Sequence, residues 1–322
     1  KYKERGKKVK KKSLVILTGP TAVGKTDLSL KLAKAIGGEI ISADSMQVYR
    51  RMDIGTAKLK KEEQEIPHFL IDILEPEEEF NVVKFQVLAK KAMEEIYSRN
   101  HIPILVGGTG FYIQSILYDI DFKENNKDNK IRKELEEQAK LLGAEYMHQK
   151  LQQVDKKAAQ EIHANNEKRV IRALEYFYQT GSKISEHNRE QREKQSNYNY
   201  AYFVLTMDRK KLYQRIEERV DSMMEQGLLE EVKGLVNEHI SETATSMQGL
   251  GYKELYAYLK GDCSLEEAVY IIKRDTRHFA KRQLTWFRRE KDVIWIEKDR
   301  YIEERNMLDF MLEVLEKREI LK

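Results

Sequence analysis

Eight residues near the start of the chain, Gly19-Pro20-Thr21-Ala22-Val23-Gly24-Lys25-Thr26, have the spacing G-x-x-x-x-G-K-S/T of a loop that wraps a polyphosphate. Each residue type has a physical reason to be there. Glycines let backbone N–H groups turn around an anion. Lys25 adds a full positive charge, and the Thr26 hydroxyl is of the kind that completes a Mg²⁺ site. Gly19, Thr21, Ala22, Val23, Gly24, Lys25 and Thr26 are therefore the candidate anion grip, with Thr26 the candidate metal ligand. Asp44 ends the predicted strand Glu39–Ala43. A carboxylate beside a phosphate site can take a proton from an attacking nucleophile. Capping of its own loop, a role Ser45 could share, is the alternative. Gly107-Gly108-Thr109-Gly110 reads either as a substrate pocket wall or as a tight turn. Arg215 and Arg219 lie one helical turn apart, able to reach an anion or to pair with Glu217 and Glu218.

These groups need a frame that brings them together. The loop follows the apolar run Leu14–Leu17 and precedes a helical pattern over Asp27–Ala35, whose positive dipole end points at the same anion. Further strands are predicted over Glu39–Ala43, His68–Ile73 and Ile102–Val106. Val82–Arg99 reads as a helix with an apolar face at Val83, Val87, Ala92 and Ile96. Strands alternating with helices imply a parallel sheet, with ligands beyond the carboxyl ends of the strands. Hydrolytic phosphate-loop proteins carry a Mg²⁺-holding acid at the end of a later strand. Here Ile104-Leu105-Val106 ends in glycines, and Asp44 is the acid instead, a layout suited to group transfer.

Beyond Asp121 the pattern changes. ENNKDNK is a polar break, and residues 130–195 read as charged helices. A strand returns at Tyr200–Leu205. Helices follow over Lys210–Gln226, Leu228–Glu238, Tyr252–Leu259 and Leu265–Arg289, then a short strand at Val293–Ile296. The predicted fold is α/β: a phosphate-loop parallel core over 13–121 and 199–322, with an all-helical insertion over 122–198.

The bulk composition of the 322 residues, 41% hydrophobic and 35% charged, suits a folded protein rich in exposed helices. No apolar run approaches the roughly 20 residues that span a bilayer, and the basic start lacks the apolar core of a signal peptide. The single cysteine, Cys263, excludes a disulfide framework or a multi-cysteine zinc site. A cytoplasmic monomer without a membrane partner is expected. The net charge of +4 is concentrated: residues 1–12 carry +7, leaving about −3 for the rest. That tail is expected to be disordered.

Basic and aromatic residues gather in two other places. Lys281, Arg282, Gln283, Thr285, Trp286, Phe287, Arg288 and Arg289 end the last long helical pattern, with Arg274 and Arg277 near the same face. Cations track phosphates and aromatic faces stack on unpaired bases; a solvated helix with Trp286 in the core is the alternative. Lys168, Arg169 and Arg172 flank the apolar stripe Val170, Leu174 and Phe177, where surface salt bridging is the alternative. A small-molecule kinase with ATP in the loop, and a non-catalytic RNA-binding protein, both remain open on these residues.

Taken jointly, GPTAVGKT (19–26), ISADSMQVYRRMDIGTAK (41–58), LVGGTGFY (105–112), RVIRALE (169–175), GYKEL (251–255) and KRQLTWFRR (281–289) resemble the tRNA dimethylallyltransferases. The blocks stand in that family's order along most of the chain. The resemblance implies transfer of a dimethylallyl group from dimethylallyl diphosphate to N6 of adenosine 37 in the tRNA anticodon stem-loop. It places the diphosphate on the loop, with Mg²⁺ nearby and Arg219 and Arg215 in reach. Asp44 matches the family's general base, while Ser45, Gln47, Thr109 and Gly110 line the reaction channel. It assigns tRNA contacts to Asp44, Ser45, Met46, Gln47, Lys168, Arg169, Arg172, Gln248, Gly251, Tyr252, Lys253, Lys281, Arg282, Gln283, Thr285, Trp286 and Arg288. Prenylation of a free adenine nucleotide by the same chemistry is the nearest competing reaction.

Overall fold

A computed structural model of the chain describes residues 11–122 and 130–321. The basic tail 1–10 and most of the ENNKDNK stretch (124–129) lie outside the described residues. Six parallel strands form one sheet, ordered β3-β2-β4-β1-β5-β6. They are β1 (Lys12–Thr18), β2 (Gly38–Ser42), β3 (His68–Phe69), β4 (Ile102–Gly107), β5 (Tyr198–Thr206) and β6 (Val293–Glu297). Leu14, Val15, Ile16 and Leu17 of the central strand are fully buried, as the apolar run requires when helices cover both faces. Lys12, expected in the tail, already pairs in the sheet and makes an ion pair with Glu94 at 2.6 Å.

Helix α1 (Lys25–Ile36) leaves the phosphate loop and stops at Gly37, whose φ of 59° suits a glycine cap. Helix α2 (Val82–Ser98) is capped by the Asn81 side chain on Lys84 N–H. Its inward row is Phe85, Ala89, Ala92, Met93 and Ile96. Val83 and Val87 are 46% and 62% exposed, so the true apolar face is rotated from the expected one in its first half. The correct row keeps i, i+4, i+7, i+11 spacing, and Phe85 stacks on Tyr112 at 4.4 Å. Tyr112 belongs to α3 (Gly110–Leu117), a helix that the glycines at 107–110 conceal in the sequence. The strand expected to reach Ile73 closes after Phe69; Leu70 and Asp72 take positive φ and turn the chain.

The chain divides into two compact units, Lys1–Leu117 with Asn197–Lys322, and Tyr118–Ser196. The first also holds α8 (Arg209–Glu225), α9 (Leu228–Asn237), α10 (Tyr252–Lys260), α11 (Leu265–Phe287) and α12 (Glu304–Lys317). Helix α12 lies beyond the elements expected from the sequence pattern. It buries Met307, Met311 and Leu315 in the cluster that contains Leu28 and Leu32 of α1.

The second unit is helical: α4 (Lys130–Val154), α5 (Lys156–Glu161), α6 (Glu167–Thr180) and α7 (Ile184–Glu193). Leu135, Met147, Leu151, Val170 and Leu174 form its core. Asp155 caps α5 and takes both the N–H and the hydroxyl of Ser185, tying α7 to the bundle. Phe177, expected in the apolar stripe, is only partly buried. Among the described residues no helix is long and apolar enough to cross a membrane.

Candidate active site

The phosphate loop sits at the carboxyl end of β1, between β4 and β5. Gly24 has a φ of 95° and opens α1. That φ favours glycine, and a Cβ there would lie 2.8 Å from Lys298 Nζ and push the ammonium aside. Lys25 Nζ donates to Gly19 O at 3.0 Å and Pro20 O at 2.8 Å. Arg215 Nε donates to Ala22 O at 2.9 Å, and Lys298 Nζ to Val23 O at 3.2 Å. On the remaining side, Thr21 N–H donates to Gln283 Oε1 at 2.9 Å, while Gln283 Nε2 donates to Gly108 O at 3.1 Å. One buried amide therefore joins the loop to the end of β4.

Four cations, Lys25, Arg215, Arg219 and Lys298, converge here without an ion pair among the described residues. Neighbouring acids are engaged elsewhere. Glu217 pairs with Arg277 at 2.6 Å, Glu218 accepts from Gln214, Asp299 pairs with Lys211 at 2.6 Å and Glu304 pairs with Lys31. The alternative in which Glu217 and Glu218 neutralise Arg215 and Arg219 is thus not what forms. Burial, with the charge of Arg219 added, lowers the Lys25 ammonium to about 8, against a smaller opposing pull from Asp44. Burial also lowers Arg219, and Asp44 opposes that shift.

Asp44 follows β2, with β4 between it and the loop. The glycines at the end of β4 keep that intervening strand from filling the gap. A Cβ on Gly107 would lie 2.3 Å from Ala43 O. Thr109 N–H donates to the same carbonyl at 3.2 Å. Asp44 Oδ1 accepts from Met46 N–H at 2.8 Å and Gln47 N–H at 3.3 Å, so this oxygen does cap its own turn. No protein donor among the described residues takes Oδ2. The two readings of Asp44 are therefore compatible: one oxygen orients the carboxylate and leaves the other for chemistry.

A cavity of about 360 Å³ opens between the loop and α8, α10 and α11. Its polar wall holds Thr21, Asp44, Ser45, Thr109, Arg219 and Arg282. Ile216, Val220 and Met223 of α8, with Ile272 and Phe279 of α11, give an apolar wall. Sequence reasoning missed these residues, although Ile216 and Val220, and Ile272, Thr276, Phe279 and Gln283, are helical stripes readable from spacing.

Ala22, Met46, Gln248, Gly251, Tyr252 and Lys253 also line the cavity. Val23, Gly24, Lys25, Thr26 and Arg215 do not line it; the first four belong to the loop and the start of α1, where Thr26 is exposed, and Arg215 reaches the loop from α8.

Several expected contacts have other duties. Gln283, assigned to tRNA, is buried as the loop-to-β4 bridge. Gln47, assigned to the channel, accepts from Ser42 Oγ at 2.9 Å and donates to Thr56 O at 3.2 Å, holding the 53–56 turn. Gly110 is covered by the Trp286 indole, 2.2 Å from where a Gly110 Cβ would stand. Trp286 also meets Phe111 edge-on at 6.3 Å, and Phe287 is fully buried, so the pair is mainly packing and not a free stacking surface.

Tyr252 is 1% exposed and donates to Glu231 Oε1 at 2.6 Å, shaping the wall from within. Burial, then Glu231, raises its phenol well above the usual range. Gly251 is buried, its N–H donating to Glu254. Glu231 in turn accepts from the N–H groups of Asp53, Ile54 and Gly55, fixing the turn that supplies Gly55 and Thr56 to the cavity.

Lys281, Thr285 and Arg288 are exposed along α11 and at its end. Arg274 and Arg277, expected on the same basic face, are neutralised by Asp275 and Glu217. In the helical unit Lys168 and Arg169 are exposed, while Arg172 pairs with the buried carboxylate of Glu175 at 2.9 Å.

The fold and site define a class: phosphate-loop α/β proteins in which an anion grip and a poised carboxylate share one cavity with an apolar wall. A more particular assignment comes from relatives. The sequence model of the IPP transferase family matches residues 47–290. The tRNA dimethylallyltransferase of Lachnoclostridium phytofermentans is 61% identical over 310 residues, 96% of this chain and 99% of that protein. That of Acetivibrio thermocellus is 51% identical over 290 residues, covering 90% and 93%. The full-length tRNA isopentenylpyrophosphate transferase of Bacillus halodurans superposes with a TM-score of 0.71 at 44% identity, covering 96% and 98%. A eukaryotic dimethylallyltransferase captured acting on tRNA superposes with a TM-score of 0.76 at 30% identity, covering 89% and 74%. The chain belongs to the IPP transferase family.

Proposed function

We propose that this enzyme transfers the dimethylallyl group of dimethylallyl diphosphate to N6 of adenosine 37 in the tRNA anticodon loop, releasing pyrophosphate. One observation carries the reading: the Oδ2 of Asp44, which takes no protein donor among the described residues, shares a cavity with Arg219, beside a loop on which Lys25, Arg215 and Lys298 converge without an ion pair. The N6 amine attacks the allylic carbon and a C–N bond forms. The C–O bond to the diphosphate breaks, its electron pair leaving on pyrophosphate. Asp44 takes the N6 proton. Negative charge grows on the leaving group, where Lys25, Arg219 and the loop N–H groups stabilise it. The apolar wall of Ile216, Val220 and Phe279 accommodates the five-carbon chain. A flipped-out base can enter such a cavity, as base-modifying enzymes require.

Thr26 is the residue suited to hold Mg²⁺. Among the described residues no cluster of His, Cys, Asp and Glu could hold a metal by itself. That fits an ion bound chiefly through substrate phosphates and water. When bound, Mg²⁺ adds positive charge to the diphosphate oxygens. Exposed Lys168, Arg169, Lys281, Arg282 and Arg288 are the cations proposed to contact tRNA phosphates. The test is mass analysis of tRNA nucleosides after incubation with dimethylallyl diphosphate and Mg²⁺, without ATP. A prenylated adenosine is expected; no product, alongside ATP turnover on a small metabolite, would overturn the reading in favour of a kinase.

A further inference from the structure

We infer that Lys298, together with Arg215, is a positioning residue of the anion grip, holding the outer carbonyls of the phosphate loop so that its N–H groups face inward. The inference rests on the proposed function only for the identity of the anion as a diphosphate. Lys298 Nζ donates to Val23 O at 3.2 Å and Arg215 Nε donates to Ala22 O at 2.9 Å. These carbonyls belong to consecutive peptide units, whose N–H groups are those of Gly24 and Val23. In a trans peptide the C=O and N–H point in opposite directions. A cation fixed on each carbonyl therefore turns the two N–H groups to the other side of the loop. Neither N–H donates to a protein acceptor among the described residues. The cations also polarise the peptide units they hold, strengthening each N–H as a donor.

The surroundings of Lys298 fix its position. It begins a 3-10 turn after β6 (Lys298–Arg300). The next residue, Asp299, anchors that turn through Asp208 N–H at 2.5 Å and Lys211 Nζ at 2.6 Å. The ammonium lies close against the loop, 2.8 Å from where a Cβ on Gly24 would stand. Its environment is costly to a cation. Burial lowers the ammonium from its ordinary value and the Arg215 charge lowers it further. A bound anion removes that penalty, so the cost in the empty loop becomes affinity in the filled one.

The experiment is isothermal titration of the full chain at pH 7 with inorganic pyrophosphate, comparing wild type, Lys298→Met and Lys298→Arg. Lys298→Met should weaken binding about tenfold, the size of one charge-assisted hydrogen bond. Lys298→Arg should stay within about threefold, and the melting temperature without ligand should be the same for all three. In turnover, Lys298→Met should raise KM for dimethylallyl diphosphate by a similar factor with little change in kcat. Unchanged pyrophosphate binding by Lys298→Met overturns the inference. Equal weakening in both variants with a lowered melting temperature also overturns it, showing a strut that merely supports β6. If wild type makes no prenylated tRNA but pyrophosphate binding still depends on Lys298, the donor assignment fails and this inference stands.

Discussion

Replacing Asp44 by Asn separates the two duties of that side chain. Asn keeps an Oδ1 that can accept from Met46 and Gln47 N–H groups, so the turn after β2 remains capped. It cannot take a proton. Loss of a general base lowers the rate by roughly 10²–10⁴-fold. The stability change should be small, because two bonds to a charged acceptor become two to a neutral one, about 1–2 kcal/mol in all. For a chain of this size that is a few degrees in Tm. Asp44 is an anion beside the grip, so removing its charge removes a repulsion. Pyrophosphate binding should be unchanged or tighter at about pH 6.5, below the titration of Lys25, which itself moves lower once the pull of Asp44 is gone. The variant should therefore lose kcat, keep its Tm within a few degrees, and bind pyrophosphate at least as well. Asp44→Ala should match it in kcat and fall further in Tm. Single-turnover prenyl transfer, calorimetry and a melting curve on each protein decide the matter. Retention of more than about a tenth of the wild-type rate by Asp44→Asn, or a loss explained by weaker pyrophosphate binding, refutes the role as base.

Gly107→Ala would drive a Cβ to 2.3 Å from Ala43 O and move the ends of β2 and β4 apart. A cost of about 1–3 kcal/mol is expected from overpacking, with a rate loss near 100-fold from displaced groups; Gly234→Ala, inside α9 with nothing within 4 Å, is the control and should leave the rate unchanged while stabilising by about 0.5–1 kcal/mol. Because the Lys25 ammonium is lowered to about 8, pyrophosphate affinity should fall as pH rises through 8, and binding above that pH should take up a proton; calorimetry in buffers of different ionisation heat measures it, and a flat profile from pH 7 to 9.5 would exclude Lys25 as the titrating group. Glu39 is 1% exposed and held by Arg99 and His101 at 2.6 Å and 2.5 Å. The Arg99 hydrogen bond, against burial, keeps its carboxyl below the usual range, so the stability it contributes is present above that range and lost as pH falls through the lowered value. Arg99 is itself solvent-exposed and His101 still holds Glu39, so Arg99→Ala should lower stability only in part and move the acid-unfolding midpoint to higher pH.

The strand-loop-helix opening of the chain is legible because every rule agrees there: an apolar run, a fixed glycine spacing and a helical pattern in succession. The same holds for Asp44, which ends a strand of five buried residues. Helix α3 is hidden because Gly107, Gly108 and Gly110 depress helix propensity, while packing on Phe85 and Trp286 restores the helix. The face of α2 is easily misplaced because Val83 and Val87 are as apolar as the residues that pack. Gln283 reads as an RNA contact since a polar residue in a basic helix looks solvated; only the fold shows that it meets Thr21 and Gly108. Lys298 carries no local signal at all, because its meaning comes from β6 lying beside β5 at the same end of the sheet as the loop.

The bond from Thr21 N–H to Gln283 joins residues 262 apart in sequence. A ribosome therefore completes the loop long before it makes the glutamine, Arg215 or Lys298 that shape it. During synthesis the emerging chain carries a phosphate-loop sequence without its finished geometry, and gains the full grip only as its last fifth joins the sheet. Cellular polyphosphates thus meet an unfinished loop in the nascent protein, and a prematurely terminated chain ending before Gln283 should be an inert product instead of a partly active scavenger of nucleotides.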